Sequence, residues 1–91
     1  MTHNIKITES FADAVLSGDK TFEIRKNDRG YQKGDLIQFT VIDDFNLCVA
    51  SELTKHKYRI TYILSGWGIS EGYVVLAIKR EEDGQKQEQE D

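Results

Sequence analysis

Hydrophobic and polar positions alternate along several short segments of the chain, and this is the pattern of half-buried β-strands. Between the first two segments, apolar residues recur at three- and four-residue spacing, which predicts one helix over residues 9–17, begun at Thr8 or Ser10 and ended by Gly18. The alternation predicts strands near residues 4–7, 20–26, 35–42, 57–64 and 73–79.

One early helix and five or six strands, joined mostly by short turns, favour an α+β domain whose strands close into a small mixed barrel. A single helix leaves room for only one crossover connection, so a βαβ sheet is disfavoured. Phe11, Val15 and Leu16 are expected to seal one end of the barrel, and Phe11→Ala would then cost about 3–5 kcal/mol. The predicted core contains Phe22, Ile24, Phe39, Ile60, Leu64, Val75 and Leu76.

The chain ends in a polar run, residues 81–91, with no apolar side chain to offset the entropy of ordering. We expect a single domain over residues 1–80 followed by a disordered acidic tail. The run holds six acidic residues and one lysine, so taking its charge of −5 from the total of −4 leaves +1 for residues 1–80. The low pI therefore does not argue against a polyanionic ligand for the domain.

Cys48 is the single cysteine, which excludes an internal disulfide. It lies between apolar neighbours, so we expect a buried structural thiol. The histidines and the cysteine have no metal-ligand spacing, and no segment approaches the roughly 20 apolar residues of a membrane span. The sequence thus predicts a cytoplasmic monomer with no metal, no cofactor and no membrane contact.

The most specific string in the chain is Ser17-Gly18-Asp19-Lys20-Thr21-Phe22-Glu23-Ile24-Arg25, at the predicted junction of helix and strand. It resembles the signature of ASCH domains in its glycine, lysine, glutamate and arginine. The resemblance covers about residues 3 to 79 and points to a phage and bacterial branch of ASCH-like proteins. It implies a PUA-like barrel that binds RNA or a nucleotide in a cleft beside the signature.

Three side chains of this string form a chemically sensible polar pocket. Lys20 supplies a point charge suited to phosphate, and Arg25 a planar fork that can hold a phosphate or a base edge. Glu23 falls on the same strand face as Arg25 and can orient that fork or accept from a base amino group. The alternative is a solvated strand face, on which a Glu–Arg pair contributes about 0–1 kcal/mol.

Secondary ligand candidates surround this pocket. Tyr31 and Trp67 fall in predicted loops and can offer stacking faces to single-stranded bases. His3 reaches the cleft if the first strand lies beside the signature strand. Residues 20–33 carry five Lys or Arg against two acids, which would attract a polyanion. The other tyrosines lie in apolar strand patterns and are expected in the core: Tyr58, Tyr62 and Tyr73.

Catalysis is a second hypothesis, because some small ASCH-like bacterial proteins are amidohydrolases that act on N4-acetylcytidine through a lysine, a threonine and a glutamate. Lys20 matches their lysine, and Lys20 with Glu23 are the candidates for acid–base chemistry. However, the position of their nucleophilic threonine is occupied by Glu23 in this chain, and Thr21 matches a different threonine. Glu71 is the one downstream acid near the glycine-rich loop that could serve as their glutamate. RNA or nucleotide binding is therefore preferred, with a modified-nucleoside hydrolase and a protein-interaction module as alternatives.

Overall fold

A computed structural model describes residues 1–81. Within these residues the chain forms one α-helix, one 3-10 helix and five strands, close to the predicted bounds. In chain order these are β1 (Thr2–Thr8), α1 (Glu9–Ser17), β2 (Phe22–Lys26), β3 (Leu36–Ile42), the 3-10 helix Glu52–Lys55, β4 (Lys57–Leu64) and β5 (Tyr73–Arg80).

The five strands form one curled, mixed sheet in the order β1-β3-β4-β5-β2. Only the β1–β3 pair is parallel, with α1 and β2 intervening along the chain, and the other three pairs are antiparallel. The prediction of an α+β, barrel-like domain with one main helix is confirmed, although the sheet is a half-barrel. Its two edge strands, β1 and β2, leave an open seam.

Two arginines tie this seam together. Arg25 donates from Nη2 to the backbone carbonyl of Lys6, and Arg29 donates from Nη1 to the carbonyl of Asn4 at 2.6 Å. Because Asn4 and Lys6 are two residues apart on β1, their carbonyls point in the same direction. The guanidinium groups thus form hydrogen bonds with two carbonyls of an exposed strand edge. Unpaired carbonyls on such an edge can pair with a strand of another chain.

The core fills the concave side of the sheet and the underside of α1. Phe39, Ile60 and Leu76 are buried as predicted, while Leu64 and Val75 are only half-buried. The fully buried large side chains come from four strands and the 3-10 helix: Ile5, Ile37, Phe39, Val41, Leu53, Ile60 and Leu76.

Strand β2 has the orientation opposite to the predicted one. Phe22 and Ile24 are exposed, whereas Glu23 is only 4% exposed and pairs across the ladder with the buried Leu76. The alternation was correct, but the assumption that the apolar face points inward was wrong. The polar face turns inward because two cations neutralise Glu23 there, as described below.

A β-bulge explains why the predicted apolar face of β4 is not continuous. The pairing of β4 with β5 shifts register between Ile60 and Tyr62. An extra residue reverses the alternation beyond it, so Ile63 packs against the core and Tyr62 is exposed. Tyr58 is buried as predicted, but Tyr62 and Tyr73 are not.

Helix α1 covers the core with small side chains. Ala12 and Val15 are buried and Leu16 packs beside them, but Phe11 is 55% exposed and does not seal the barrel. The helix ends at Gly18, whose left-handed φ of 91° favours glycine. Thr8 occupies the N-cap position without a hydrogen bond from its side chain.

Between β3 and β4 the chain makes a single β-bridge, Ile42 to Cys48, instead of a further strand. Cys48 is exposed, which corrects the prediction of a buried thiol. Among residues 1–81, no helix is long and apolar enough to cross a membrane, and no three His, Cys, Asp or Glu side chains group as a metal site. Glu81 accepts two hydrogen bonds from Arg59, each 2.8 Å, and the rest of the predicted tail lies outside the described residues.

Candidate functional site

The open seam between β1 and β2 holds a cleft of about 520 Å³, which we call the seam cleft. It lies where the end of β1, the first turn of α1 and the first four residues of β2 meet. Three of the sequence-predicted residues, Lys20, Glu23 and Arg25, line it together. The complete lining is Lys6, Ile7, Thr8, Phe11, Lys20, Phe22, Glu23, Ile24 and Arg25.

Lys20 is placed by the turn that follows α1. After Gly18 reverses the chain, the backbone N–H of Lys20 donates to the Ala14 carbonyl at 3.0 Å and closes the helix end. The side chain then points to β2, where Nζ donates to the Phe22 carbonyl at 2.7 Å and to Glu23 Oε1. The left-handed turn at Gly18 thus positions the ammonium group of Lys20, two residues later, at the seam.

Glu23 forms the centre of the cleft. Its side chain is nearly inaccessible to solvent and lies between two cations, with Lys20 bound at Oε1 and Arg25 Nε donating to Oε2 at 3.2 Å. A carboxylate is buried at acceptable cost only when it is paired and hydrogen-bonded. The two cations meet that condition and allow Glu23 to occupy a core-facing position.

Arg25 connects the ion pair to the seam. Its Nε is bound to Glu23 and its Nη2 to the Lys6 carbonyl, while Nη1 has no hydrogen-bond partner within residues 1–81. Two cations and one carboxylate leave the group formed by Lys20, Glu23 and Arg25 with a formal charge of +1. The cleft can therefore accept one negative charge, with Arg25 Nη1 as an available donor.

Aromatic rings flank the charged group. The ammonium of Lys20 lies 5.1 Å from the centre of the Phe11 ring and 4.9 Å from that of Phe22, within the range of cation–π attraction. Ile24, 56% exposed, extends the apolar wall on β2. The sequence analysis did not predict Phe11 and Phe22 as site residues, because it assigned both to the barrel interior. What identifies them is structural: both rings lie around Lys20.

His3 and Tyr31 belong to a separate buried cluster around Asp35. The His3 Nε2 donates to Asp35 Oδ2 at 2.8 Å, and the His3 and Tyr31 ring centres are 4.7 Å apart. Both rings are buried, so the expectation that Tyr31 offers an exposed stacking face is wrong, and neither residue lines the seam cleft. The cluster holds the start of β1 against the turn before β3.

Two pKa values in this cluster depart from their ordinary range. The hydrogen bond from His3, aided by the Gln32 backbone N–H at 3.0 Å and the amino terminus, lowers the pKa of Asp35 against the opposing effect of burial. Burial raises the pKa of Tyr31, although the charges of Arg29 and Arg25 oppose the rise. Both shifts indicate a structural cluster built around a carboxylate.

Trp67 is 90% exposed in the β4–β5 loop, as predicted. Trp67 has a left-handed φ of 55°, which is unusual for a bulky residue. It lies between Gly66 and Gly68, which also have positive φ. The loop borders β2, since Ile24 lines both the seam cleft and a shallow recess formed with Gly68, Ile69, Ser70 and Tyr73. Glu71 is exposed in the same loop and lines neither.

Fold and site together define a small α+β half-barrel with a charged, ring-flanked cleft at its open seam. Residues 2–78 match the family described as "Domain of unknown function (DUF3850)", and the chain belongs to that family. A relative from Escherichia phage P2, "Uncharacterized 12.9 kDa protein in GpA 3'region", is 36% identical over an alignment of 78 residues, and the alignment covers 81% of this chain. The match spans 64% of the relative's length.

A solved structure, "Crystal structure of hypothetical protein PH0355", is similar in fold with a TM-score of 0.58 at 17% identity. The alignment covers 89% of this chain and all of that one. At this identity the similarity establishes the fold alone.

Proposed function

We propose that this chain is an ASCH-like module that binds RNA or a nucleotide in the seam cleft. The observation that carries the proposal is the convergence of Lys20, Glu23 and Arg25 in one cleft beside the rings of Phe11 and Phe22. Apolar walls with a few convergent polar groups are typical of small-molecule sites. The resemblance of residues 17–25 to the ASCH signature supports the same assignment.

The charge of the site fits a phosphate group. Lys20 and Arg25 together exceed Glu23 by one positive charge, and Arg25 Nη1 is free to donate within the described residues. A guanidinium presents its donors in a rigid planar fork. Because Nε and Nη2 of Arg25 are already bound, a nucleotide phosphate would accept a hydrogen bond from Nη1 while the Glu23 ion pairs stay intact.

The walls of the site fit a base. Phe11 and Phe22 are both partly exposed and stand beside the charged group, and stacking of a base on an aromatic side chain contributes about 1–3 kcal/mol. A longer single strand would continue past Ile24 to Trp67, whose side chain is free to stack. The surface accordingly suits a single-stranded ligand better than a duplex, whose bases are already stacked.

The test is titration of a mononucleotide panel and a randomised single-stranded RNA pool against the wild type and three variants. Arg25→Lys keeps the charge but loses the fork, Phe22→Ala removes one ring, and Lys20→Ala removes the ammonium. Each should weaken binding, whereas the exposed control Lys55→Ala should not, because Lys55 lies outside the cleft. Because Lys20→Ala leaves Glu23 with one partner, its folding must be checked by thermal unfolding.

Failure of every ligand to bind, or binding equal in wild type, Arg25→Lys and Phe22→Ala, would contradict the proposal and favour a protein-interaction module. The same samples, incubated with N4-acetylcytidine, address hydrolysis. Little or no cytidine should form, because Glu23, at the nucleophile position, is a buried carboxylate held in two ion pairs. Turnover abolished by Lys20→Ala would instead make the hydrolase hypothesis primary.

A further inference from the structure

A second cavity, of about 320 Å³, lies at the C-terminal end of α1, beside the ends of β4 and β5. We call it the basic recess and define it by its lining residues, which are Val15, Leu16, Gly18, Lys20, Thr21, Tyr58, Ile78, Lys79 and Arg80. Lys20 lines both this recess and the seam cleft. The two cavities are therefore neighbours on either side of one lysine.

One cation of the lining, Arg80, is not paired with a carboxylate within residues 1–81. Lys20 also lines the recess, but its ammonium is bound to Glu23, and the side chain of Lys79 points to the opposite face of β5 from Arg80. No acidic side chain of the described residues lines the recess. The C-terminal end of a helix would by itself repel an anion. Here its carbonyls are already bonded: Val15 by the Gly18 N–H at 3.1 Å, Ala14 by the Lys20 N–H at 3.0 Å, and Leu16 by Arg80 Nη2 at 3.2 Å.

An unmatched hydroxyl is the second, independent feature of the recess. Tyr58 is 4% exposed, and its hydroxyl is buried without a hydrogen-bond partner in the described part of the chain. Buried polar atoms nearly always have a partner, so an orphan calls for an explanation. The Arg80 guanidinium lies 6.0 Å from the centre of the Tyr58 ring, which brings a cation to the same residue.

We propose that the basic recess is a second anion subsite that takes a phosphate oxyanion. Arg80 supplies the charge, and the Tyr58 hydroxyl donates a hydrogen bond to a phosphate oxygen. Its assignment to the next phosphate of a ligand in the seam cleft rests on the proposed nucleotide-binding function. Lys20, shared by both cavities, would then lie between two successive phosphates of a single strand.

The direct probe is inorganic phosphate, titrated into the full chain and followed by NMR, with chloride at matched ionic strength as the control. The amides of Gly18, Thr21 and Arg80 should shift in the wild type. In Arg80→Gln and Tyr58→Phe the phosphate affinity should fall roughly five- to tenfold, the effect of one hydrogen bond or charge contact. Lys55→Gln, which removes an exposed charge outside the recess, should bind as the wild type does.

Tyr58→Phe separates a binding role from a structural one. Removing an unmatched hydroxyl should leave the melting temperature unchanged or raise it, while phosphate affinity falls. A purely structural tyrosine would give no loss of phosphate affinity. Phosphate that shifts none of these amides, or binds equally to wild type, Arg80→Gln and Tyr58→Phe, would overturn the proposal.

A mononucleotide and a 5′-phosphorylated dinucleotide separate the two sites. The dinucleotide should bind more tightly, and Arg80→Gln should remove that advantage without changing mononucleotide affinity. Phosphate binding in the recess with no nucleotide binding would support the anion subsite and contradict the nucleotide-binding function. Nucleotide binding with no dinucleotide advantage and no phosphate response would overturn the subsite alone.

Discussion

Glu23 shows how a single residue links the fold to its candidate function. It holds a core-facing position on β2 that an apolar residue would fill at lower cost, because burying an ion pair often stabilises no more than a hydrophobic replacement does. Removing one partner of such a pair is a different matter and typically costs about 3–5 kcal/mol. A buried carboxylate between two cations therefore gives β2 no clear gain in stability over an apolar residue. Its effect is to position Lys20 and Arg25 in the cleft.

Asp35 leads to a prediction about pH. Its pKa is lowered in the folded chain, first by the hydrogen bond from His3, so this carboxylate stabilises the fold above its ordinary pKa of about 4. That contribution is lost as the pH falls through the lower, folded pKa. Asp35→Asn should therefore lower the melting temperature at neutral pH, and its difference from the wild type should shrink as the pH falls below about 4.

Thermal unfolding of both proteins from neutral pH to about pH 2 measures this effect. Asp13→Asn serves as the control, since Asp13 is exposed on α1. A difference between wild type and Asp35→Asn that stays constant over the whole range would show that the carboxylate of Asp35 does not gain from its contact with His3.

At the scale of elements, the sequence predicted where strands and helix run but not which way every face points. The strict alternation of β2 defines two faces, yet period alone cannot decide between Phe22 and Ile24 inside and Glu23 inside. The choice depends on Lys20, which reaches Glu23 from the preceding turn, and on Arg25, which reaches across the seam to β1. Neither contact is visible in the pattern of a single strand.

The bulge in β4 was hidden for a related reason. Tyr58, Ile60, Tyr62 and Leu64 form an unbroken apolar series in the sequence, and only the pairing with β5 reveals the shift between Ile60 and Tyr62. The proximity of Lys20, Glu23 and Arg25 could be predicted because residues 17–25 are local in sequence. Ring contacts between α1 and β2 depend on the tertiary fold, so Phe11 and Phe22 were assigned to the wrong surface.

Helix α1 provides the second prediction. Because Phe11 is 55% exposed, Phe11→Ala should lower the free energy of unfolding by about 1 kcal/mol or less, well short of the 3–5 kcal/mol expected for a buried ring. Its ring stands beside Lys20 in the seam cleft, so nucleotide affinity should fall. Urea unfolding and nucleotide titration of the same variant measure both effects.

Val15→Ala is the matched control, since Val15 is buried on the same helix. It should cost more stability than Phe11→Ala and leave nucleotide affinity unchanged in the folded protein. A large loss of stability in Phe11→Ala, with unchanged binding, would return Phe11 to the core and remove it from the site.

At the scale of the molecule, charge is distributed unevenly. Residues 1–80 carry a formal charge of +1, whereas residues 81–91 carry −5. Within the described part, Lys20 lines both the seam cleft and the basic recess. Ile24 in turn joins the seam cleft to the recess beside the Trp67 loop. The three depressions are therefore contiguous on the surface, and the proposed single-stranded ligand would lie along them.

The last prediction concerns the acidic end of the sequence. Residues 82–91 hold five acids and one lysine, so deleting them takes the formal charge of the chain from −4 to 0. An anionic ligand should then bind more tightly, and most of all at low salt, because screening reduces charge interactions beyond about 10 Å at 0.1 M ionic strength. With only one or two phosphate contacts, each contributing a slope of about −0.7, log affinity should fall gently with log salt in both proteins.

A full-length variant with the acids of residues 82–91 replaced by glutamine should reproduce the effect of the deletion, since the effect comes from charge rather than length. Tightening of equal size at low and high salt, or tightening by the deletion but not by the glutamine variant, would rule out this electrostatic competition.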